Sequence, residues 1–169
     1  VPVLKEVLDA LRIPRYELAG WEADDLLGTL SLKAGASGVR PLLLTGDRDA
    51  LQLINEHTHV LMTKKGISDT VEYDRAVLME QYGLEPERMV DLKGLMGDSS
   101  DNLPGIPGVG EKTALKLLEK YGTLENVLAN AENEKGALRQ KLLDNPQSAR
   151  MSYALGPINT DAPVSKMTA

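Results

Sequence analysis

The segment 97–112 constrains the fold and chemistry of this chain more than any other stretch. It begins with Asp98 and Asp101, two short carboxylates at a spacing that suits a hard divalent cation. Three glycines then follow in quick succession: Gly105, Gly108 and Gly110. The loop opens a helical pattern, so its backbone N–H groups and the helix N-terminus can approach a phosphate. A metal site beside a phosphate-binding loop indicates an enzyme that cuts or transfers phosphodiesters.

The hydrophobic pattern around this segment predicts an α/β layer followed by helices. The predicted strands cover 39–45, 59–62 and 70–73. The predicted helices cover 3–11, 22–34, 50–54, 74–82, 86–96, 111–121, 124–130 and 134–143. The run Leu42-Leu43-Leu44 is typical of a parallel strand buried on both faces, and the first two strands would form a right-handed β-α-β unit. Beyond Pro146 we expect irregular chain.

We therefore expect two parts. Residues 1–96 would form an α/β core in which helices flank a parallel-type sheet, and residues 97–169 a small helical module with a trailing segment. The 169-residue chain has no cysteine, which excludes thiolate metal sites and fits a reducing cytoplasm. Since no apolar run reaches the roughly 18 residues of a membrane helix, we expect no membrane partner. The net charge of −6 argues against a wholly basic nucleic-acid binder, but not against one that gathers its carboxylates in a metal site.

Two further acidic groups precede segment 97–112. Glu22, Asp24 and Asp25 open a predicted helix, where acids are favourable against the helix dipole, but three carboxylates in four residues also repel one another. Asp47 and Asp49 follow the strand over 39–45, at the end of a sheet where ligands bind in open α/β folds. Asp49 alone could equally be a helix N-cap.

These seven carboxylates predict a two-metal site if the chain brings them together. Two divalent ions roughly 4 Å apart would relieve the repulsion and match two-metal phosphoryl chemistry. A site made of oxygen ligands favours Mg²⁺ or Mn²⁺ over Zn²⁺. Beyond the glycines, Lys112, Lys116 and Lys120 recur every four residues. Such a row is often just a solvated face, but here it leads out of a phosphate-type loop and could follow a nucleic-acid backbone.

Three blocks of the sequence together resemble the 5′-nuclease (flap endonuclease) superfamily. They are Glu22-Ala23-Asp24-Asp25, Thr45-Gly46-Asp47-Arg48-Asp49, and Gly97-Asp98-Ser99-Ser100-Asp101-Asn102-Leu103-Pro104-Gly105 with Gly108-Val109-Gly110-Glu111-Lys112-Thr113-Ala114. The resemblance covers nearly the whole chain and is greatest to the bacterial 5′→3′ exonuclease domains that accompany a DNA polymerase. It implies a PIN-like or resolvase-like core followed by a helix–three-turn–helix, of the helix-hairpin-helix type.

The resemblance also implies roles for individual residues. Glu22, Asp24 and Asp25 would hold a first metal ion. Asp47, Asp49 and Asp98 would hold a second, with Asp101 completing that side and Asp24 near both. Duplex DNA would be gripped by the glycine loop (Gly105, Gly108, Gly110) with Lys112 and Lys116, the loop carbonyls would hold K⁺, and Lys93 would touch a substrate phosphate.

Family members carry an upstream portion with further aspartates and a basic arch. Because Val1-Pro2 is no natural start, we expect this chain to be a fragment that binds one metal well and cuts weakly or not at all.

The expected function is divalent-metal-dependent 5′→3′ exonuclease and 5′-flap endonuclease activity on DNA in replication and repair, by a monomer associated with the bacterial nucleoid. A non-catalytic duplex-DNA-binding module is the alternative, although seven acids beside a phosphate groove would hinder a pure binder. An Asp-rich phosphotransferase for small molecules is a third hypothesis, against which the glycine loop and the lysine row count.

Overall fold

The computed structural model describes residues 2–65 and 69–166. Its helices are α1 (Pro2–Ala10), α2 (Ala23–Ala36), α3 (Arg75–Tyr82), α4 (Met89–Met96), α5 (Glu111–Tyr121), α6 (Leu124–Ala129), α7 (Gly136–Asp144) and α8 (Pro146–Leu155). The strands are β1 (Leu42–Thr45), β2 (His59–Lys65) and β3 (Asp69–Tyr73). Short 3-10 turns cover Arg48–Leu53, Pro86–Arg88, Ala131–Asn133 and Val164–Lys166. An α/β part therefore precedes a helical part, as the sequence predicts.

The strands form a mixed sheet in the order β1-β2-β3. β1 runs parallel to β2, and β2 pairs antiparallel with the predicted edge strand β3. The predicted helix over 50–54 is wrong, because the chain between β1 and β2 forms the 3-10 turn Arg48–Leu53. Asp47 caps this turn by accepting a hydrogen bond from the N–H of Asp49, and the segment is too short to repay the nucleation of an α-helix.

Strand β1 also differs from its prediction. It is shorter than 39–45, and only one face is buried: Leu43 is 7% exposed, whereas Leu42 and Leu44 are 52% and 65% exposed. The expectation of burial on both faces is thus wrong for the described residues. An apolar run cannot reveal which of its faces receives a covering layer, because side chains alternate across the strand.

Two hydrophobic clusters hold the fold together. One lies under the sheet and includes Leu51, Val60 and Leu78, all fully buried. The other joins helices α4 to α8; its members include Leu92, Leu95, Ile106, Val109, Ala114, Leu117, Leu118, Leu124, Val127, Leu142 and Ala149. Tyr82 and Met89 pack against both clusters, so the α/β part and the helical part share a continuous apolar contact.

Helix α8 contradicts the prediction of irregular chain beyond Pro146. Pro146 stands in the first turn, where the N–H that proline lacks has no helical partner to lose. The buried face of α8 is made of Ala149 and Ser152, both 0% exposed, which pack along α4. These small residues give no apolar periodicity, so the sequence pattern did not reveal the helix.

The segment after α8 returns to α2, where the N–H of Ala162 donates to the hydroxyl of Thr29 over 2.9 Å. Among the described residues, no helix combines the length and the apolar character needed to cross a membrane.

Candidate metal centre and nucleic-acid interface

The first acidic group is fixed by the start of α2. Glu22 is the N-cap residue and forms a capping box with Asp25: each side chain accepts a hydrogen bond from the other's backbone N–H. Asp25 also accepts a hydrogen bond from the N–H of Asn159, 2.9 Å away. Asp25 therefore ties the helix start to the returning C-terminal segment, a contact that local sequence could not reveal.

Asp24 faces the other carboxylates. Burial raises the pKa of Asp24, and the negative charges of Asp47, Glu22, Asp25 and Asp101 raise it further. Asp47 and Asp101 belong to the other two acidic groups, so all three groups act on one side chain. A divalent cation among them would relieve the repulsion that this raised pKa reports.

The second acidic group follows β1. The N–H of Asp47 donates to the hydroxyl of Thr45, and Asp47 in turn caps the 3-10 turn through the N–H of Asp49. Burial raises the pKa of Asp49, and the hydrogen bond from Lys93 opposes that increase. The N-cap is thus Asp47, and not Asp49 as the sequence allowed, which leaves Asp49 directed at Lys93.

The third acidic group lies on a loop closed at its base. Asp98 and Leu103 exchange two backbone hydrogen bonds of 2.8 Å each, and between them Asn102 takes a left-handed backbone with φ of 55°. The hydroxyl and N–H of Ser100 both donate to one oxygen of Asp98, which lowers the pKa of that carboxyl. Asp98 is therefore held ionised and oriented.

Lys93 lies at the meeting point of the second and third groups. Its ammonium donates to Asp49 and, over 2.6 Å, to Asp101, and it is 3.6 Å from Asp98. Burial lowers the pKa of Lys93, but the hydrogen bonds to Asp101 and Asp49 outweigh burial and raise it above the ordinary value. Lys93 thus neutralises part of the negative charge of these carboxylates.

Six of the seven predicted carboxylates and Lys93 line one cleft, which we call the carboxylate cleft. Its charged members are Glu22, Asp24, Asp25, Asp47, Asp49, Asp101 and Lys93. Asp98 lies beside the cleft: one oxygen each from Asp49, Asp98 and Asp101 lie within 4.8 Å of one another. The donor set contains carboxylate oxygens without histidine or cysteine, so it fits a hard divalent ion. Which residue holds which ion stays a prediction.

The glycine loop leads from the carboxylates into α5. Gly108 has φ of 75° and its carbonyl accepts a hydrogen bond from Lys141 of α7 over 2.9 Å. Lys112 and Lys116 are exposed on α5, whereas Lys120 is paired with Glu134 and lies over the ring of Tyr121. The third lysine of the row is therefore engaged within the protein, and Lys141, which the sequence did not single out, adds a cation beside the loop.

Gly105 has a different place from the other two glycines. Its N–H donates to the hydroxyl of Ser152 over 2.9 Å, and its carbonyl accepts from the hydroxyl of Ser148 over 2.6 Å. Both polar groups of Gly105 are thus bonded inside the protein, which leaves the expected phosphate contacts to Gly108 and Gly110. No sequence signal pointed to the two serines, because they lie 43 and 47 residues away on a helix that the pattern missed.

The loop and the cleft are also joined at the surface. Arg48, which stands between Asp47 and Asp49, donates to Glu111 in the first turn of α5 over 2.6 Å. An exposed pair of this kind adds little stability, but it connects the second acidic group to the helix that follows the glycine loop.

Comparison with known proteins agrees with this geometry. The family model described as "5'-3' exonuclease, N-terminal resolvase-like domain" matches residues 1–83, and "5'-3' exonuclease, C-terminal SAM fold" matches residues 84–169. DNA polymerase I of Bacillus caldotenax is 51% identical over 164 residues, which are 96% of this chain and 19% of that protein. The chain therefore spans about a fifth of the length of this curated relative.

Two solved structures share the fold. The 5′-exonuclease of bacteriophage T5 with bound divalent zinc superposes with a TM-score of 0.80 at 21% identity, covering 94% of this chain and 59% of that one. A T5 flap endonuclease complex with DNA and metal ions also gives 0.80, at 20% identity, covering 94% and 58%. With family models matching both halves of its sequence, this chain belongs to the 5′-3′ exonuclease family.

Proposed function

We propose that this chain carries metal-binding carboxylates and the duplex grip of a 5′→3′ exonuclease and 5′-flap endonuclease that hydrolyses DNA. The observation that carries this proposal is the carboxylate cleft, which gathers six acids from three distant sequence blocks, the last of which continues directly into the glycine loop. A protein that only bound DNA would gain nothing from such a concentration of negative charge beside a phosphate backbone.

The proposed ions are Mg²⁺ or Mn²⁺, two in the intact enzyme. Asp47, Asp49, Asp98 and Asp101 would hold one and Glu22, Asp24 and Asp25 the other, with Asp24 near both. Bound there, such ions would supply a hydroxide nucleophile and would stabilise the leaving oxygen of a phosphodiester. Two hydrogen bonds support a prepared site: the N–H of Ser100 orients Asp98, and the N–H of Asn159 orients Asp25.

The proposed DNA contacts are the backbone of Gly108 and Gly110 and the side chains of Lys112 and Lys116. The glycine loop precedes α5, whose positive N-terminal end would favour a phosphate. The carbonyls of the glycine loop are candidate ligands for K⁺. Lys93 would contribute near the scissile phosphate. Two observations support this role: Lys93 lies between the metal-binding groups, and its raised pKa keeps it charged.

The proposed biological setting follows from that chemistry. The substrate would be nicked or branched duplex DNA with a 5′ end or flap, met during replication and repair at the bacterial nucleoid. The relatives named DNA polymerase I support a parent protein that continues into a polymerase domain, and we propose that it acts as a monomer. The division at residue 96 and weak or absent cutting by this chain alone stay predictions.

The test combines metal binding with cleavage. Mn²⁺ is titrated into the chain and into Asp98→Ala, and a labelled 5′-flap duplex is then incubated with each protein and Mg²⁺. We expect Mn²⁺ affinity to fall about tenfold or more in the variant, because one charged ligand is lost. Any cleavage should begin at the 5′ end and disappear in Asp98→Ala. Cleavage that survives the substitution would contradict the proposal, whereas DNA binding without metal binding would favour a non-catalytic module.

A further inference from the structure

We infer that Ser148 and Ser152 of α8 are positioning residues that hold the glycine loop in its DNA-binding conformation through Gly105. The two hydroxyls lie one helical turn apart on the same face of α8. Ser152 accepts a hydrogen bond from the N–H of Gly105, and Ser148 donates one to its carbonyl. Together they fix the peptide groups on both sides of this residue.

Gly105 needs such an anchor because the chain crosses itself there. Gly105 has φ of 54°, and a Cβ at this position would lie 2.2 Å from the backbone nitrogen of Gly97. Gly97 has φ of 72°, and its Cβ would lie 2.5 Å from the carbonyl oxygen of Leu103. We call this contact between Gly97 and Gly105 the glycine crossing. Neither glycine of the crossing has a side chain that could hold it in place.

Two functional segments leave the glycine crossing in opposite directions. Between its two glycines runs the loop that carries Asp98 and Asp101, closed by the paired backbones of Asp98 and Leu103. Beyond Gly105, the N–H of Ile106 donates to the carbonyl of Leu95 in α4, and the chain continues through Gly108 into α5. The position of Gly105 therefore sets the orientation of the carboxylate loop and of the glycine loop together.

Helix α8 packs closely enough against α4 to serve as the anchor. It packs so closely on α4 that a Cβ at Gly94 would lie 3.0 Å from Cβ of Tyr153 and 3.4 Å from the carbonyl of Ala149. Ser152 and Ala149 are 0% exposed. A hydroxyl buried at that depth is shielded from bulk water, so the loss of its hydrogen bond would leave the N–H of Gly105 without a ready replacement.

The consequence for binding rests on the proposed DNA contact of the glycine loop. When a serine hydroxyl is removed, Gly105 gains freedom and the amides of Gly108 and Gly110 lose their common orientation. Lys112 and Lys116 keep theirs, because they belong to α5. Affinity for duplex DNA should then fall while the number of lysine–phosphate contacts, and hence the salt dependence, stays the same.

The experiment measures amide hydrogen exchange and duplex-DNA affinity in Ser152→Ala, Ser148→Ala and Ser148→Thr. Exchange at Gly105 and Ile106 should accelerate about tenfold or more in Ser152→Ala, and duplex affinity should fall about tenfold, the effect of one buried hydrogen bond. The slope of affinity against salt should match that of the unchanged chain. Ser148→Ala should act in the same direction, and Ser148→Thr, which retains the hydroxyl, should restore both values.

Ser31→Ala is the matched control, because Ser31 is also a buried helical serine but donates to Gly28 within α2. Its exchange rates at Gly105 and its DNA affinity should not change. Equal effects in Ser31→Ala and Ser152→Ala, or unchanged exchange in Ser152→Ala, would overturn the inference. If the unchanged chain does not bind duplex DNA, the proposed function fails, while the exchange rates still decide whether the serines hold the loop.

Discussion

The carboxylate cleft and the glycine crossing adjoin each other but are built in opposite ways. The cleft collects charged side chains that repel one another and are restrained by caps, by Lys93 and by a few backbone hydrogen bonds. The crossing has no side chains at its centre and is held by two neutral hydrogen bonds: Ser148 donates to the carbonyl of Gly105, and Ser152 accepts from its N–H. Substitutions in the cleft should therefore change chemistry more than stability, and substitutions at the crossing should do the reverse.

The largest expected effect is at the glycine crossing. Gly97→Ala adds a Cβ within 2.5–2.8 Å of the backbone of Leu103, Pro104 and Gly105, at a φ of 72°. We expect a loss of about 3 kcal/mol or more in the free energy of unfolding, since neither backbone can move aside. Urea denaturation measures this change. Gly110→Ala is the control: its Cβ would meet nothing within 4 Å, so the loss should stay below about 1 kcal/mol.

The next effect concerns a carboxylate outside the cleft. It tests whether replacing this carboxylate reduces stability, as a substitution at the glycine crossing does. Asp91 in α4 is 2% exposed and accepts a hydrogen bond of 2.7 Å from the N–H of Leu124 at the start of α6. Asp91→Ala should reduce stability by about 2 kcal/mol, because it leaves that N–H buried without a partner. Asp91→Asn keeps an acceptor oxygen and should recover most of the loss in the same denaturation assay. Equal stability of both variants and the unchanged chain would contradict this role.

A smaller effect in stability should accompany a larger one in metal binding when Lys93 is replaced. Lys93→Gln removes the buried cation that bonds Asp49 and Asp101. Because both carboxylates stay partly exposed to water, the chain with EDTA should lose only about 1 kcal/mol of stability. Mn²⁺ should bind about tenfold more tightly, because the ion no longer faces the ammonium. Calorimetric titration measures the affinity and thermal unfolding the stability. Weaker Mn²⁺ binding would show that Lys93 organises the carboxylates instead of competing with the ion.

The smallest effect concerns the pH dependence of stability. Burial and the charges of Asp47 and Glu22 raise the pKa of Asp24 above the ordinary 3.8, so the folded chain keeps a proton that the unfolded chain releases. The contribution of Asp24 to stability therefore falls as pH rises from the pKa of Asp24 in the unfolded chain to its higher pKa in the folded chain. At neutral pH without metal, Asp24→Asn should raise Tm, because it removes a charge that its neighbours repel. The gain should be only about 1–2 °C, since that charge is partly solvated and screened. The gain should vanish below the ordinary aspartate pKa; a gain that persists there would contradict the prediction.

The sequence predicted the cleft better than the crossing. Each acidic group stands at a position that a local rule explains, namely a helix start, the end of a strand and a turn before a glycine loop. The family and the α/β-then-helical architecture were accordingly predicted correctly, and the three groups do meet. Lys93 was singled out only by resemblance, and its position between Asp49 and Asp101 needed the structure.

The sequence alone thus determined where charge, glycine and apolar periodicity lie, because each is a property of neighbouring residues. The tertiary structure alone decided which face of β1 is buried, that Arg48–Leu53 is a 3-10 turn, and that the chain beyond Pro146 forms α8. It also paired Gly105 with Ser148 and Ser152 across more than 40 residues. The physical reason is that a serine hydroxyl can either donate or accept a hydrogen bond, so its role depends on the partner that packing brings within reach.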